Sequence, residues 1–212
     1  MAKGIVSIMH SRSAKAQKNL GLCLPAIMLA LACQPAIAQA PEPPSQQKPT
    51  PVVSTLTLDV NNDGVADRVD LVFDGETDVD LNIYLGRKGE SEFDAAPSFT
   101  KKAIAYHGNS PGQNASLEAG AKGSFIILSL NESVPRDRWE KKLTITFRNK
   151  DFVVAALNYT ESDTQDPNEG GTCDVNFVTG RSVKDGKAIA DKVELIPLKD
   201  WEPDFLPPAC EF

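Results

Sequence analysis

The sequence predicts an all-β protein, an antiparallel meander that closes as a sandwich, an open barrel or a partial propeller. Three observations carry this. Apolar and polar residues alternate at period two over residues 53–58 and 143–147, the repeat of a strand with one buried face. Turn sequences punctuate such segments at short intervals: Asp74-Gly75, Arg148-Asn149-Lys150-Asp151, Thr179-Gly180 and Asp185-Gly186. No long stretch carries the apolar repeat of an amphipathic helix, and short connections between strands favour antiparallel neighbours.

The first segment stands apart from this fold. Lys3, Arg12, Lys15 and Lys18 form a basic stretch without an acid, residues 20–32 are an apolar run, and Ala36-Ile37-Ala38 fits a small-x-small cleavage pattern. These are the parts of a secretory signal in their usual order. The run falls short of the roughly 20 apolar residues that span a bilayer. The expectation is therefore a signal peptide over residues 1–38, with lipoprotein processing at Cys33 as the competing route. A Pro-rich stretch over residues 39–51 reads as an extended linker, and residues 52–212 read as one β-rich domain.

Within that domain the strand candidates after residues 53–58 are 69–73, 81–85 and 101–106, then 125–128, 143–147, 152–159, 172–179 and 192–196. Residues 125–128, Phe-Ile-Ile-Leu, are apolar at successive positions, which suits a central strand covered on both faces. Residues 108–123, rich in Gly, Asn, Ser and Ala, and the acidic residues 160–171 read as surface loops. Residues 198–201 read as a single helical turn stopped by Pro203, Pro207 and Pro208.

Cysteine and charge narrow the setting. Cys23 and Cys33 lie in the signal, leaving Cys173 and Cys210, and two cysteines in an exported domain favour a disulfide. Such a bridge stabilises by about 3–4 kcal/mol in the chain-entropy model. Cleavage after Ala38 removes four basic side chains and no acidic one, taking the net charge from −7 to about −11. A surface this acidic argues against nucleic acid or anionic lipid and for cations or a basic protein as partner.

One motif carries defined chemistry. Residues 59–70 read Asp-Val-Asn-Asn-Asp-Gly-Val-Ala-Asp-Arg-Val-Asp. A hard dication takes six to eight oxygens, and alternate residues of a tightly curled loop can aim Asp59, Asn61 and Asp63 inward together. Gly64 accepts the turn's backbone angles, Val65 offers its carbonyl, and Asp67 contributes directly or through a water. Asp70 closes the candidate set. It is shorter than the Glu usual at that position, and the strand pleat decides whether it faces the ion. The expected ion is Ca2+; the competing reading is an Asn-Asp-Gly turn with solvated acids.

These residues give a resemblance. Leu58 to Asp67, followed by a strand over residues 69–73, resembles the Asp-x-Asn-x-Asp-Gly-x-x-Asp calcium loops of FG-GAP and VCBS-type repeat proteins. There the loop joins strands, and its single occurrence here does not imply a full propeller. The loop, together with residues 147–181, also resembles a group of small exported bacterial proteins of uncharacterised function. That likeness implies a shared fold and a periplasmic or secreted location, without an activity.

Weaker constellations have bland alternatives. Asp74, Glu76, Asp78 and Asp80 alternate and could hold a second cation, or form a solvated acidic hairpin. His107 lacks a nucleophile motif beside it and reads as a surface or core residue. Trp139, flanked by charges, covers an open end of the core or anchors an interface. The expected function is a non-catalytic, calcium-binding exported domain, used in cell-envelope interaction or as an inhibitor or immunity-type protein for a basic partner. The alternative is a metal-dependent periplasmic hydrolase.

Overall fold

Strands β1 (Val52–Leu58), β2 (Asp67–Phe73), β3 (Asp78–Tyr84) and β4 (Phe99–Tyr106) form a four-stranded sheet in chain order. A second sheet runs, also in chain order, through β5 (Gln113–Ala119), β6 (Phe125–Asn131), β7 (Arg138–Arg148), β8 (Asp151–Ser162), β9 (Gly170–Asn176), β10 (Arg181–Lys184) and β11 (Lys187–Ile189). The short β12 (Ile196–Pro197) pairs with Val153 and Val154 of β8. The computed structural model describes residues 51–190 and 192–212. The expected signal peptide, Cys33 and residues 39–50 of the linker lie outside the described residues.

Every pairing is antiparallel, as the all-β meander requires, and neither sheet closes into a barrel among the described residues. The period-two pattern explains the core. In β3, Val79, Leu81 and Ile83 are fully buried while Asp78, Asp80, Asn82 and Tyr84 face outward in part. Phe125 and Ile127 of β6, Leu143 and Ile145 of β7, and Val154 and Leu157 of β8 complete one core shared by both sheets. Each such side chain contributes about 1.5–3 kcal/mol on burial.

The turns follow their residues. Asn149 and Lys150 both take positive φ, 52° and 67°, between β7 and β8, and Asp185 and Gly186 do the same between β10 and β11. This is the turn geometry that matches strand twist. In β4, Ala103 at φ 47° marks a bulge, and its N–H, lost to the ladder, donates to the Asp80 carboxylate at 3.0 Å.

The structure departs from the sequence reading in several places, among them β10 and β11, which follow a turn at residues 177–180 where a strand is expected to run to 179 and none to follow before 192. Residues 108–123 hold β5, an edge strand whose Ala115 and Leu117 pair with Ser129 and Ile127; alanine's weak strand preference hid the alternation. The acidic loop shrinks because β8 runs on to Ser162 and β9 begins at Gly170. β6 is not covered on both faces: Phe125 and Ile127 are buried, whereas Ile126 and Leu128 are only half-buried. Residues 192–195 are irregular, and Pro197, which lacks an N–H, keeps β12 to two residues.

The C-terminal segment closes over the second sheet. A 3₁₀ turn, Leu198–Asp200, buries Leu198 and leads to Trp201, which is also buried. A second turn, Pro208–Cys210, buries Ala209 and Cys210. Cys210 is bonded to Cys173 of β9, with Cα atoms 5.2 Å apart.

Candidate functional site

The loop between β1 and β2 is built by short-range hydrogen bonds from alternate side chains. Asp59 accepts the N–H groups of Asp63 at 3.1 Å and Gly64 at 2.9 Å. Asn61 Oδ1 also accepts the Asp63 N–H, at 3.0 Å, and Asp63 accepts the Val65 N–H at 2.8 Å. The Asn61 amide donates to the other oxygen of Asp63 at 2.8 Å. Asp and Asn side chains curl a backbone in this way because they reach N–H groups two residues on. Asn62 at φ 61° and Gly64 at φ 85° complete the curl.

Asp67 opens β2 beneath this loop and is buried. Its Oδ2 accepts the Val60 N–H and its Oδ1 the Gly86 N–H, both at 2.8 Å. Burial pushes its pKa up, against the lowering effect of those backbone donors, and the Asp63 charge adds to the rise. Val60 is itself fully buried in the core. The loop is therefore anchored at one carboxylate that ties its start to the connection after β3.

Of the six ligand candidates, Asp59, Asn61 and Asp63 share the loop's hydrogen bonds and Asp67 lies under them. Val65 sits in the same curl. Asp70 is the one the structure does not bring to the loop. It lies three residues beyond Asp67, so the pleat turns it to the opposite face of β2. There it accepts the Thr55 hydroxyl at 2.9 Å and pairs with Arg68 at 3.1 Å. Arg68 in turn stacks over the Tyr84 ring, 4.0 Å from its centroid.

The donor set suits a hard cation. It is made of carboxylate, amide and carbonyl oxygen, without nitrogen or sulfur ligands. A carboxylate oxygen that accepts one N–H keeps a further lone pair. Among the described residues no three His, Cys, Asp or Glu side chains are gathered to hold a metal by themselves. An ion here would draw on the Asn61 amide and the Val65 carbonyl as well.

Two glycines that the motif did not single out press on this loop. A Cβ at Gly86 would collide with the Ala66 carbonyl oxygen and lie 2.8 Å from Val65 Cγ1. A Cβ at Gly123, between β5 and β6, would lie 2.6 Å from the Asp59 carbonyl oxygen. Both contacts are long-range, and nothing local to either glycine signals them.

The other constellations are tied into the fold. Asp74 accepts the N–H groups of Glu76 and Asp78 at 2.7 and 3.2 Å, and Asp80 pairs with Lys102. His107 accepts a backbone N–H through Nδ1 and packs edge-on to Phe73, ring centroids 5.2 Å apart. Trp139 is half-buried against the Tyr106 ring at 5.5 Å. No helix among the described residues is long and apolar enough to cross a membrane. No protein-family model, curated protein or solved structure matches the chain.

Proposed function

We propose that this chain is an exported, non-catalytic domain in which a calcium ion fixes the loop between β1 and β2, and that its acidic surface engages a basic protein of the envelope or the medium. The observation supporting the reading is the convergence of Asp59, Asn61 and Asp63 in one curled loop over the buried Asp67. Calcium would supply charge compensation for these oxygens, and Asp59, Asn61, Asp63, Val65 and Asp67 would hold it. Asp70 serves the sheet instead, through Thr55 and Arg68. An ion at this position reinforces the entry to the first sheet, a structural role with no reaction attached.

Outside the cytoplasm, a loop with a Kd of about 10⁻⁴–10⁻³ M fills at near-millimolar calcium. The test is thermal unfolding of residues 39–212 in EGTA and in excess calcium. A tenfold excess over Kd stabilises by about 1.4 kcal/mol, a rise of about 3–6 °C in Tm for a chain of this size. An unchanged Tm and no calorimetric heat at several millimolar calcium would remove the metal. Affinity capture from periplasmic extract, with and without EGTA, tests the partner: a basic protein enriched over control is expected, and no enrichment in either condition rejects it.

A further inference from the structure

A second site lies away from the calcium loop and shares no residue with it. A cavity of about 190 Å³ opens between β3, β4, β7 and the C-terminal segment, with Asp78, Tyr106, Trp139, Lys141, Pro203 and Asp204 in its wall. That volume corresponds to about six waters at about 30 Å³ each, the scale of a small metabolite.

The wall combines aromatic, cationic and anionic groups. The Tyr106 and Trp139 rings, inclined at 59°, supply an apolar side. The Lys141 ammonium donates to the Pro203 carbonyl at 2.8 Å and lies 5.8 Å from the Tyr159 ring centroid. It is bonded to neither carboxylate of the cavity, and an ammonium has three donors to place. Asp78 and Asp204 line the same cavity and repel each other, with Asp74, Asp80 and Glu76 adding to the negative field on Asp78. Burial lowers the Lys141 pKa, against the raising effect of the Asp204 charge, and burial also raises that of Asp78, so a further counter-charge favours the ionised form of each.

We propose that this cavity binds a small zwitterion, an amino acid in size and charge, whose carboxylate meets Lys141, whose ammonium meets Asp78 and Asp204, and whose apolar body lies on Tyr106 and Trp139. A lone cation would face Lys141 and a lone anion would face the two aspartates. A ligand carrying both charges offers a partner to the ammonium and to the carboxylates at once. Binding here turns the domain from a purely protein-directed module into one that also senses or carries a small solute.

The experiment follows the Trp139 indole N–H by NMR, assigned with Trp139→Phe, during titration with L-valine, which has about eight heavy atoms and so matches the cavity's scale. Isobutylamine and isovalerate, the same molecule lacking its carboxylate or its ammonium, are titrated in parallel. L-Valine is expected to give a saturable shift, with either fragment weaker by about tenfold or more because it leaves Lys141 or the two aspartates without the charge-assisted bond. Lys141→Met and the exposed Asp204→Asn should each weaken L-valine by about fivefold or more. If Lys141→Met does not fold, Asp204→Asn carries the test. Absence of a saturable shift up to about 20 mM, isobutylamine binding as tightly as L-valine, or wild-type affinity in the folded variants would each overturn the proposal. EGTA should leave this titration unchanged, which separates it from the calcium reading.

Discussion

The Nδ1 of His107 accepts the backbone N–H of Ala115 at 2.9 Å, so a neutral imidazole joins the end of β4 to the start of the edge strand β5. The adjoining backbone is fixed as well, since the His107 N–H donates to the Thr77 carbonyl at 2.7 Å. An imidazolium has no lone pair at Nδ1 to receive the Ala115 donor.

That bond gives a pH dependence of known sign. Burial lowers the His107 pKa below 6.5, so between the folded value and 6.5 the unfolded chain binds the proton and the folded one does not. Stability is complete above pH 6.5 and falls as pH drops through this window. His107→Asn keeps an acceptor near the Nδ1 position but does not titrate. Urea unfolding from pH 7.5 to 5 should show a smaller loss in the variant than in the wild type, whereas parallel curves would deny His107 this role.

Gly86→Ala should disturb the loop between β1 and β2 without unfolding the sheet. Its Cβ collides with the Ala66 carbonyl oxygen and crowds Val65, and its N–H is one of the backbone donors holding Asp67. Overpacking of this kind costs about 1–3 kcal/mol. The expected result is a lower Tm in EGTA together with weaker calcium binding by calorimetry. Asp67→Ala, which leaves the Val60 and Gly86 donors without their acceptor, should cost about 1–3 kcal/mol per stranded group.

The contrast between Asp67 and Asp70 shows what the sequence could and could not reveal. Alternation and turn residues placed most strands, because strand period and turn chemistry are local. The spacing of Asp59, Asn61 and Asp63 likewise encodes a loop curled by its own side chains. Asp70 depends on which face the pleat gives it and on Thr55 and Arg68, a relation set by strand register. Gly86 and Gly123 lie at long range from the loop they support, and β5 was hidden because its alanines carry little strand preference. The cavity around Lys141 joins residues from β3, β4, β7 and the C-terminal segment, so only the folded chain assembles it.

Removing the disulfide should loosen the C-terminal closure more than the sheets. Cys173 and Cys210 are both buried, and 37 positions separate them in sequence. The chain-entropy model assigns such a loop about 4 kcal/mol. Cys173→Ser/Cys210→Ser should lower the urea midpoint, and hydrogen exchange should quicken first over residues 198–212. Uniform acceleration across β2 and β3 would instead mean that the bridge supports the whole core.

Trp201 holds the same segment from its other end, and the two constraints should be coupled. It is 1% exposed, edge-on to Phe177 at 6.2 Å and to Phe205 at 5.6 Å. Trp201→Ala should cost about 3–5 kcal/mol, from lost transfer free energy and the cavity left behind. In the chain lacking the disulfide, the segment from Leu198 to Cys210 already leaves the sheet more readily, so part of the tryptophan's burial is lost before it is mutated. The combined variant should therefore lose less stability than the two single effects added, by about 0.5–3 kcal/mol. A double-mutant cycle in urea measures this directly: additive losses would show that the disulfide and the tryptophan fasten independent parts of the C-terminal segment.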